Sequence, residues 1–266
     1  MTTAAPSGPI TSQSLALPVV TPRNPRELAA CPQYSVLLAA SDEERSAIYR
    51  LRFRVFNLEL NEGLDASFAT GEDKDEFDSV CDHLYVQHRI TGEVVGTYRV
   101  QSGLTAAANL GYYSEREFVL TPFESRRAEI VELGRACIQR NHRSFEVLNL
   151  LWRGLVIYAK TLDARYLLGC SSLTSQDPGE GWSVHQQLTM FQSDPELQTV
   201  PTPEFSMPLG SPKPGAKVPR LLRAYLAVGS QICGTPGLDR EFKTIDFLTV
   251  LDFEKMSAAA KTRFLR

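Results

Sequence analysis

The stretch IVELGRACI, residues Ile130–Ile138, places one carboxylate and one guanidinium inside an otherwise apolar run. Its length and composition predict a β-strand in the interior of a sheet. Burying either charge without a partner is costly, so Glu132 and Arg135 each need a partner or a chemical task. Strict alternation puts residues three positions apart on opposite faces of a strand. Both side chains can therefore reach one pocket only if a bulge near Gly134 shifts the register.

Two more apolar segments carry charges in the same way. The run Val94–Val100 contains Arg99 near its end, and the run Leu51–Phe56 contains Arg52. The first run predicts a strand, and the second belongs to a helix expected from about Asp42 to Phe56. Three charged clusters within apolar elements predict one polar site inside an α/β core.

Size and composition limit the class of protein. The chain has 266 residues, of which 43% are hydrophobic, and a formal net charge of −3. That length supports a full core, and the charge gives no general attraction to nucleic acid. No apolar run approaches the ~20 residues of a membrane-spanning helix, and Met1–Val20 lacks the basic start and apolar centre of a signal peptide. The five cysteines form no CxxC pair, so the sequence indicates neither a zinc site nor a disulfide framework and favours the cytoplasm.

The order of predicted elements indicates one domain. Residues 1–33 are rich in Pro, Ser, Thr and Ala and predict a flexible leader. Residues 34–266 predict a single domain with a proline-rich C-terminal extension from about residue 194. The expected elements are a strand at Tyr34–Ala40, a helix to about Phe56, a hairpin of His83–His88 and Glu93–Gln101, a strand at Ile130–Ile138, a helix at Phe145–Leu162, a strand at Tyr166–Leu173, helices within Gly181–Met190 and Pro219–Ile232, a strand at Phe247–Leu251 and a helix at Glu254–Leu265. This order predicts an α/β (α+β) fold in which a mixed sheet carries helices on both faces.

Several short motifs occur in an order and spacing that resemble one family. They are Arg52–Phe56 followed by Glu59, Asp78–Leu84, Gly92–Arg99, Glu132–Arg135, Leu150–Leu155, Gly169–Ser172, Pro219–Leu226, and Asp239–Phe242 with Asp246–Leu248. Together they resemble the GNAT-type acyltransferase superfamily, and within it the ornithine-acyl-ACP N-acyltransferase branch, which is related to acyl-homoserine lactone synthases and N-acyl amino acid synthases. The resemblance spans roughly Tyr34 to Phe264. It implies a GNAT-like fold with a mixed, mostly antiparallel central sheet.

The resemblance also implies a reaction. The enzyme would move a long-chain (3-hydroxy)acyl group from an acyl carrier protein to the α-amine of an amino acid, with ornithine as the acceptor and lyso-ornithine lipid as the product. The acyl-phosphopantetheine of the carrier protein, or of acyl-CoA, would be a co-substrate, with no permanently bound cofactor. The location would be cytoplasmic, with peripheral contact to the inner membrane. The open alternatives are an N-acyl amino acid synthase using another amine, an acyl-homoserine lactone synthase, and a non-catalytic GNAT-like protein that binds acyl carriers or membranes.

The candidate catalytic residues lie in the opening stretch. Amine acylation needs a neutral amine, so Glu132 is the candidate general base, directly or through a water. Arg135 is the second candidate, and Gly134 would allow close approach of the thioester. In the family, backbone N–H groups of this strand stabilise the tetrahedral oxyanion. The alternative is that Glu132 and Arg135 only pair with other charges for stability.

The candidate substrate contacts lie in the other charged segments. Arg52 and Arg99 are expected to bind the substrate carboxylate, because guanidinium binds carboxylate bidentately. A second cluster of charged residues contains Asp78 and Asp82, and these acids would suit a cationic side chain such as that of ornithine. Each residue also has a structural alternative, as a solvated or internally satisfied group, and the spacing indicates no metal site. The further candidates for substrate binding are Phe56, Asp78, Asp82 and His83.

The candidate donor contacts precede and follow the long predicted helix. The segment Arg140–Ser144 stands where CoA-using GNAT enzymes carry a glycine-rich loop, and it contains no glycine, which favours a carrier-protein donor. Arg140 and Arg143 are the candidates for binding the donor phosphate. Further along the chain lies a strip of basic residues. Its charge predicts docking of an acidic carrier protein or of anionic lipid. The alternative is an ordinary solvated surface. The strip consists of Lys213, Lys217, Arg220 and Arg223.

Overall fold

The computed structural model describes residues 26–264, and the strands in this range form one nine-stranded sheet. They are β1 (Glu27–Ala30), β2 (Tyr34–Leu38), β3 (Asp82–His88), β4 (Val94–Ser102), β5 (Ile130–Ile138), β6 (Tyr166–Leu173), β7 (Gln231–Ile232), β8 (Gly237–Asp239) and β9 (Thr244–Asp252). Their spatial order is β1-β2-β3-β4-β5-β6-β9-β7, and β8 also pairs with β9. The pair β5–β6 is parallel and the other pairs are antiparallel. The predicted mixed, mostly antiparallel sheet is confirmed.

The helices begin where capping side chains allow them to. The α-helices are α1 (Asp42–Phe53), α2 (Gly103–Ala108), α3 (Phe145–Thr161), α4 (Pro178–Gln187), α5 (Arg220–Val228) and α6 (Ala258–Phe264). Ser41 caps α1 in a capping box with Glu44, and Ser144 caps α3. A π-helical segment, Arg54–Leu60, continues α1. None of the helices in the described range is long and apolar enough to cross a bilayer.

Helices α1 and α3 cover opposite faces of the sheet. On β2, Val36 packs in a core with Leu150 of α3, whereas its neighbour Leu37 packs in another core with Ile48 of α1. Successive side chains of a strand point to opposite faces, so the two helices lie on opposite faces. A Cβ at Gly154 of α3 would lie 2.6 Å from Val36 Cγ1, so glycine permits this close packing. The predicted layering is confirmed.

A β-bulge interrupts β5 at the place where the sequence required one. Across the β4–β5 pair, Thr97 faces Cys137 and Arg99 faces Gly134, so two residues of β5 stand opposite one residue of β4. Arg135 has a φ of 49°, in the left-handed region that a side chain rarely adopts. The bulge re-aims the strand and its charged side chains toward one cavity.

Strand β5 separates from its parallel neighbour at the same level. The pairs between β5 and β6 end at Glu132 and Leu168, although β5 continues to Ile138 and β6 continues to Leu173. Just before the gap the backbones approach closely, since a Cβ at Gly169 would lie 2.3 Å from the Leu133 carbonyl oxygen. The bulge and the separation leave a wedge-shaped opening between the two strands.

Part of the predicted leader is ordered structure. Glu27–Ala30 forms β1 and pairs with β2, so the prediction of a flexible leader through residue 33 was wrong for this part. The sequence signal was weak because the strand has four residues and no β-branched side chain. Residues 1–25 of that prediction lie outside the described residues.

The C-terminal extension contributes directly to the central sheet. Its long strand β9 pairs along the whole length of β6, from Tyr166 facing Asp252 to Leu173 facing Ile245. Strand β7 occupies positions that the sequence assigned to the end of a helix, and β8 was not predicted. Strands of two or three residues carry too few positions for a period to show. The extension therefore helps to build the site.

Candidate active site

Two cavities meet at the β5 bulge. The first, called the polar cavity, has a volume of about 270 Å³ and opens beyond the last β5–β6 pair. The second, called the apolar cavity, has a volume of about 90 Å³ and is lined largely by Trp152, Leu155, Val156, Leu167, Met256 and Phe264. Both are bounded by Leu133–Ala136, Cys170 and Tyr225. The bulged segment thus forms the junction between a polar and an apolar compartment.

Glu132 lines the polar cavity and accepts four hydrogen bonds. Its Oε2 accepts from Gln101 Nε2 at 2.7 Å and from the Tyr113 backbone N–H at 2.9 Å. Its Oε1 accepts from the backbone N–H and the hydroxyl of Ser114, each at 2.8 Å. A carboxylate offers about four acceptor positions, so these donors occupy it fully and fasten the Tyr113–Ser114 segment to β5. Its role as a base stays a prediction.

A buried network of three arginines and three aspartates borders the polar cavity. Asp75 bridges two arginines, with Oδ1 at 2.5 Å from Arg99 Nη1 and Oδ2 at 2.9 Å from Arg135 Nη2. Arg52 contacts both oxygens of Asp78, at 2.7 and 3.0 Å. The members of this arginine–aspartate network are Arg52, Arg99, Arg135, Asp73, Asp75 and Asp78. It joins α1, the acidic loop, β4 and β5.

The network favours the ionised forms of Asp75 and Asp78. Burial alone would raise the pKa of Asp78, but the adjoining Arg52 charge and its hydrogen bonds hold that pKa below the usual value. Burial likewise opposes ionisation of Asp75, and Arg99 and Arg135 together hold its pKa below normal. Burial disfavours the charged form of Arg135 as well, yet Asp73 and Asp75 raise its pKa. The positive and negative members therefore stabilise each other's charge.

The structure brings some predicted substrate contacts to the cavity and places others elsewhere. Phe56 and Arg99 line the polar cavity. Arg52 is fully buried, lines neither cavity, and contacts Asp73 and Asp78 through all three of its guanidinium nitrogens. The prediction of substrate binding by Arg52 and Asp78 is not supported by this placement, because they satisfy each other's charge.

Two other predicted contacts also lie outside the lining of both cavities. His83 is buried with Nε2 at 3.1 Å from the Asp78 carbonyl oxygen, and burial lowers its pKa. Asp82 is exposed at the start of β3 and accepts a hydrogen bond from the Tyr158 hydroxyl at 2.8 Å. Asp82 fits the alternative of a surface acid, and His83 is held inside the protein through Nε2, while its Nδ1 has no hydrogen-bond partner among the described residues.

The predicted donor contacts fall into two groups. Gly134 lines both cavities. Arg140 and Arg143 are exposed near the turn before α3 and line neither cavity. Arg143 contacts Glu59 through both terminal nitrogens, the longer contact at 2.9 Å, and Nε donates to the Ile138 carbonyl at 2.9 Å. Their contact with a donor phosphate stays a prediction.

The basic strip lies beside the polar cavity. Its four members are exposed, and α5 carries two of them, Arg220 and Arg223, on the same short helix as Leu222 and Tyr225. Those two side chains line the polar cavity. Lys213 pairs with Asp177 at 2.8 Å. Two members of the strip thus lie on a helix that borders the site, and the docking of a carrier protein or lipid there stays a prediction.

Three buried carboxyl groups converge in the polar cavity. They are Glu117, Asp239 of β8 and Asp246 of β9, each 3% exposed, and one oxygen of each lies within 4.8 Å of the others. In the described range none of them forms an ion pair with a basic side chain. Asp239 Oδ1 accepts from the backbone N–H groups of Glu241 and Phe242, and Asp246 Oδ2 accepts from Thr244. This set is called the acid trio.

Burial raises all three pKa values in the trio, and repulsion from neighbouring carboxyl groups adds to the rise for Glu117 and Asp246. Burial, then Asp246 and Asp239, raises the pKa of Glu117 well above its normal value. Burial and the neighbouring Asp239 raise the pKa of Asp246 to about 7. Burial also raises the pKa of Asp239, partly offset by two backbone N–H groups and by Arg135. Like charges in a desolvated site oppose ionisation, so the trio retains protons when no cation is present.

The thiols do not form a nucleophilic site. The five cysteines are free, and Cys170 lines both cavities. Burial and the adjacent Glu117 raise the pKa of Cys170 well above normal. A reactive thiol requires the thiolate, so this arrangement disfavours covalent catalysis by Cys170.

Sequence reasoning missed two features of the cavity. Ser114, which donates to Glu132 and lines the polar cavity, lies between the strands expected at Glu93–Gln101 and Ile130–Ile138, where the sequence predicted no strand or helix. Asp239 and Asp246 lie inside motifs that carried the resemblance, and the signal was an acid within each otherwise apolar strand. Glu117 precedes a Phe-Val-Leu run and resembles any loop acid. The pairing of β8 with β9 brings Asp239 and Asp246 together, and Glu117 joins them from the segment between β4 and β5.

Comparison with known proteins identifies the family to which this chain is related. The acetyltransferase (GNAT) domain family matches residues 51–153. A protein of Agrobacterium fabrum named L-ornithine N(alpha)-acyltransferase is 32% identical over 235 residues, which cover 80% of this chain and 79% of that protein. A Brucella abortus protein of the same name is 30% identical over 244 residues, which cover 84% and 85% of the two chains. This chain belongs to the L-ornithine Nα-acyltransferase family. It is an acyltransferase with a GNAT domain.

Solved structures show the same fold for this acyltransferase. The acyl-homoserine lactone synthase LasI superposes with a TM-score of 0.51 at 14% identity, over 87% of this chain and 94% of LasI. FeeM, an N-acyl amino acid synthase from uncultured soil microbes, gives a TM-score of 0.50 at 13% identity, over 87% and 98% of the two chains. At these identities the likeness establishes the fold alone, and it agrees with the predicted GNAT-like class.

Proposed function

We propose that this acyltransferase moves a long-chain (3-hydroxy)acyl group from the phosphopantetheine of an acyl carrier protein to the α-amine of L-ornithine, which gives lyso-ornithine lipid. The observation that carries the proposal is the meeting of an apolar and a polar cavity at the β5 bulge. An acyl chain and a charged amino acid need opposite surroundings, and their reacting atoms must meet at one point. The names of the curated relatives support ornithine as the acceptor.

The thioester carbonyl is placed at Gly134 and Arg135, with the acyl chain in the apolar cavity. A Cβ at Gly134 would find no atom nearer than Arg99 Nε at 4.0 Å, so the strand surface is open there. Backbone groups of β5 beyond Glu132 have no β6 partner in the register, which leaves the bulged backbone available to an oxyanion. Arg135 adds positive charge at the junction.

The proton of the attacking amine passes to Glu132 through Ser114. The Ser114 hydroxyl lines the polar cavity and donates to Glu132 Oε1 at 2.8 Å. When the amine nitrogen bonds to the thioester carbon, its proton moves to Ser114 Oγ while the Ser114 proton moves to Glu132. Collapse of the tetrahedral intermediate then breaks the C–S bond and releases the pantetheine thiolate, which takes up a proton. The full hydrogen bonding of Glu132 is compatible with this relay, because no other donor has to move.

The α-carboxylate of the acceptor is assigned to Arg99. Its Nη1 contacts Asp75 and Asp78, and the side chain lines the polar cavity. Within residues 26–264 no carboxylate pairs with Nε or Nη2, which can therefore take a further anion. Tyr113 lies under the guanidinium, 5.0 Å from ring centre to Cζ, and holds its plane. A guanidinium held in this way binds a carboxylate with little loss of conformational freedom.

The basic strip is proposed as the docking face for the carrier protein. Its four exposed cations border α5, whose inner residues reach the polar cavity, so a carrier docked there is close to the site. Carrier proteins are acidic, and opposite charge speeds their encounter with the enzyme. The same face would allow peripheral contact with anionic lipid at the inner membrane from the cytoplasm.

An amino-acid panel tests the proposal. Purified protein is mixed with a 3-hydroxyacyl carrier protein and one amine at a time, and the release of free thiol is followed. The mass of the lipid product is determined by mass spectrometry. Release with L-ornithine and a product mass of one acyl chain on one ornithine are expected. 1,4-Diaminobutane, which lacks the carboxylate, is the control for Arg99 and should react far more slowly. Absence of ornithine-dependent release would contradict the proposal.

The relay has its own test. Glu132→Gln should lower kcat by roughly 10²–10⁴-fold. Ser114→Ala removes the hydroxyl but leaves the other three hydrogen bonds of Glu132 in place. If the two residues act as one relay, the double variant should lose little more activity than Glu132→Gln alone. The exposed Glu129→Gln is the matched control. Multiplicative losses in the double variant, or full activity of Glu132→Gln, would exclude the relay.

A further inference from the structure

The acid trio contains buried acceptors that the chain itself does not use. Glu117 Oε2 and Asp246 Oδ1 have no hydrogen-bond partner in the described range, although each residue exposes only 3% of its surface. A buried polar atom without a partner is costly, and native structures rarely keep one without a reason. Both side chains line the polar cavity. The missing partner is therefore expected to come from the cavity.

The chemistry of that partner follows from the charges. Three carboxyl groups offer several acceptors and no donor once they are ionised, so the partner must be a donor and a cation. Among the described residues, the trio pairs with no basic side chain, and the Arg135 charge that acts on Asp239 is already shared with Asp73 and Asp75. Within residues 26–264 no basic side chain is left to supply this cation, so a ligand that enters the cavity is its expected source.

We propose that the acid trio binds the side-chain ammonium of the acceptor, and so selects a diamino acid over amino acids with neutral side chains. This assignment rests on the proposed function, and it names the specificity-determining residues of that site. An ammonium has three N–H donors arranged as a tripod, and each member of the trio can accept one. Acceptors around such a tripod at about 2.8 Å lie roughly 4.5 Å from one another, compatible with the spacing of the trio.

The position of the trio fits a ligand whose other amine reacts at Ser114. Cys170 links the two places, with Sγ at 3.7 Å from Ser114 Oγ and a hydrogen bond to Glu117. Glu117 follows Ser114 by three residues on the same segment. One short side chain therefore separates the proposed reaction point from the trio. The three methylene groups of ornithine provide a spacer of this kind between its α-amine and its terminal ammonium.

The test compares L-ornithine with L-norvaline, which has the same carbon skeleton and no terminal amine. Binding of each to the full-length enzyme is measured by titration calorimetry at pH 8, and kcat/KM is measured with the carrier-protein donor. The variants are Glu117→Gln and Asp246→Asn. Their matched controls are Glu204→Gln and Asp163→Asn, which change exposed acids to the same amides. L-Lysine and L-2,4-diaminobutyrate measure how strictly the spacer length matters.

The wild-type enzyme is expected to bind ornithine at least 100-fold more tightly than norvaline, because norvaline leaves buried carboxylates unpaired. Each variant should reduce that ratio by roughly 10–100-fold, and the controls should keep it. A wild-type preference for ornithine that survives in both variants would overturn the inference and leave the proposed function standing. Equal binding and turnover of ornithine and norvaline by the wild type would overturn both.

A divalent cation is the competing ligand for three carboxylates, and the same experiment separates it. Mg²⁺, Ca²⁺ and Mn²⁺ are titrated alone, and the ornithine titrations are repeated in the presence of EDTA. The inference predicts that EDTA leaves the ornithine preference unchanged. Tight binding of one metal by the wild type, lost in Asp246→Asn together with the effect of ornithine, would overturn the ammonium assignment.

Discussion

The arginine–aspartate network and the acid trio are both buried groups of charged residues, and the chain treats them in opposite ways. In the network every aspartate contacts an arginine, so the pKa values of Asp75 and Asp78 fall. In the trio no carboxyl group has such a partner, and the pKa values rise. A paired set of charges holds the framework in place, whereas an unpaired set is suited to a ligand that brings the missing charge.

We expect the arginine–aspartate network to contribute to stability and the acid trio to contribute to function. The network links α1 to β4 and β5, and through Arg135 it supports the bulge at which we propose that the thioester binds. The trio links no elements by ion pairs and costs free energy when it ionises. Natural active sites often contain groups that destabilise the free protein and become favourable only with the ligand bound.

The largest effect is expected from breaking the network. Arg52→Met removes the cation between Asp73 and Asp78 and leaves these buried carboxylates with only their longer arginine contacts, to Arg135 at 3.8 Å and to Arg99 at 3.3 Å. The free energy of unfolding should fall by about 4 kcal/mol, as measured by urea denaturation. The exposed neighbour Arg50→Met is the control and should change it by less than ~0.5 kcal/mol. A loss below ~1 kcal/mol in Arg52→Met would show that the network is not a structural frame.

In the trio, removing a charge is expected to raise the free energy of unfolding, which is opposite to the effect expected in the network. The pKa of Asp246, about 7 in the folded chain, lies above the unfolded value near ~4. The folded state therefore binds more protons, and stability falls as pH rises from ~4 to ~7. Asp246→Asn should raise the free energy of unfolding by about 2 kcal/mol at pH 8 and by much less at pH 5. Thermal unfolding at both pH values, without amino acid, measures this.

The groups facing Asp246 come from several elements, and they set the interpretation of that result. They are Asp239 on β8, Glu117, Glu62, Ser172 on β6 and Thr244 on β9. The acids all oppose its ionisation, and the two hydroxyls favour it. Asp163→Asn serves as the exposed control. A lower stability of Asp246→Asn at pH 8 would contradict the account, because it would mean that the ionised carboxylate has a partner.

The smallest effect is expected at the surface. Arg220→Glu with Arg223→Glu reverses two charges of the basic strip without touching either buried set. The KM for acyl carrier protein should rise roughly 10-fold at low salt, while the KM for the bare acyl-pantetheine donor stays the same. The stability should change by less than ~0.5 kcal/mol. An equal rise for both donors would place these arginines in the site rather than on a docking face.

The sequence allowed the fold to be predicted where a strand or helix was long. The bounds of β5 and β6 agree with the prediction, and the need for a bulge followed from the odd separation of Glu132 and Arg135. The strands β1, β7 and β8 were missed because two to four residues show no period. Their pairing is set by the neighbouring long strands.

The site was harder to predict than the fold. Arg99, Gly134 and Glu132 reach the polar cavity as expected from their strands. The partner of a buried charge is set by tertiary contact, so the sequence did not show that Arg52 is satisfied by Asp73 and Asp78. The trio combines Asp239 and Asp246 of the paired strands β8 and β9 with Glu117, which is distant from them in sequence, so no local pattern joins all three.

The most direct test of the account is the number of protons exchanged when the acceptor binds. Ornithine is titrated into the enzyme by calorimetry at pH 7 in two buffers with different enthalpies of ionisation, and norvaline is the control for the α-amine. If the trio is held protonated until a ligand cation arrives, ornithine binding should release more protons than norvaline binding, and Asp246→Asn should remove most of the difference. Equal proton exchange for the two amino acids would contradict the account.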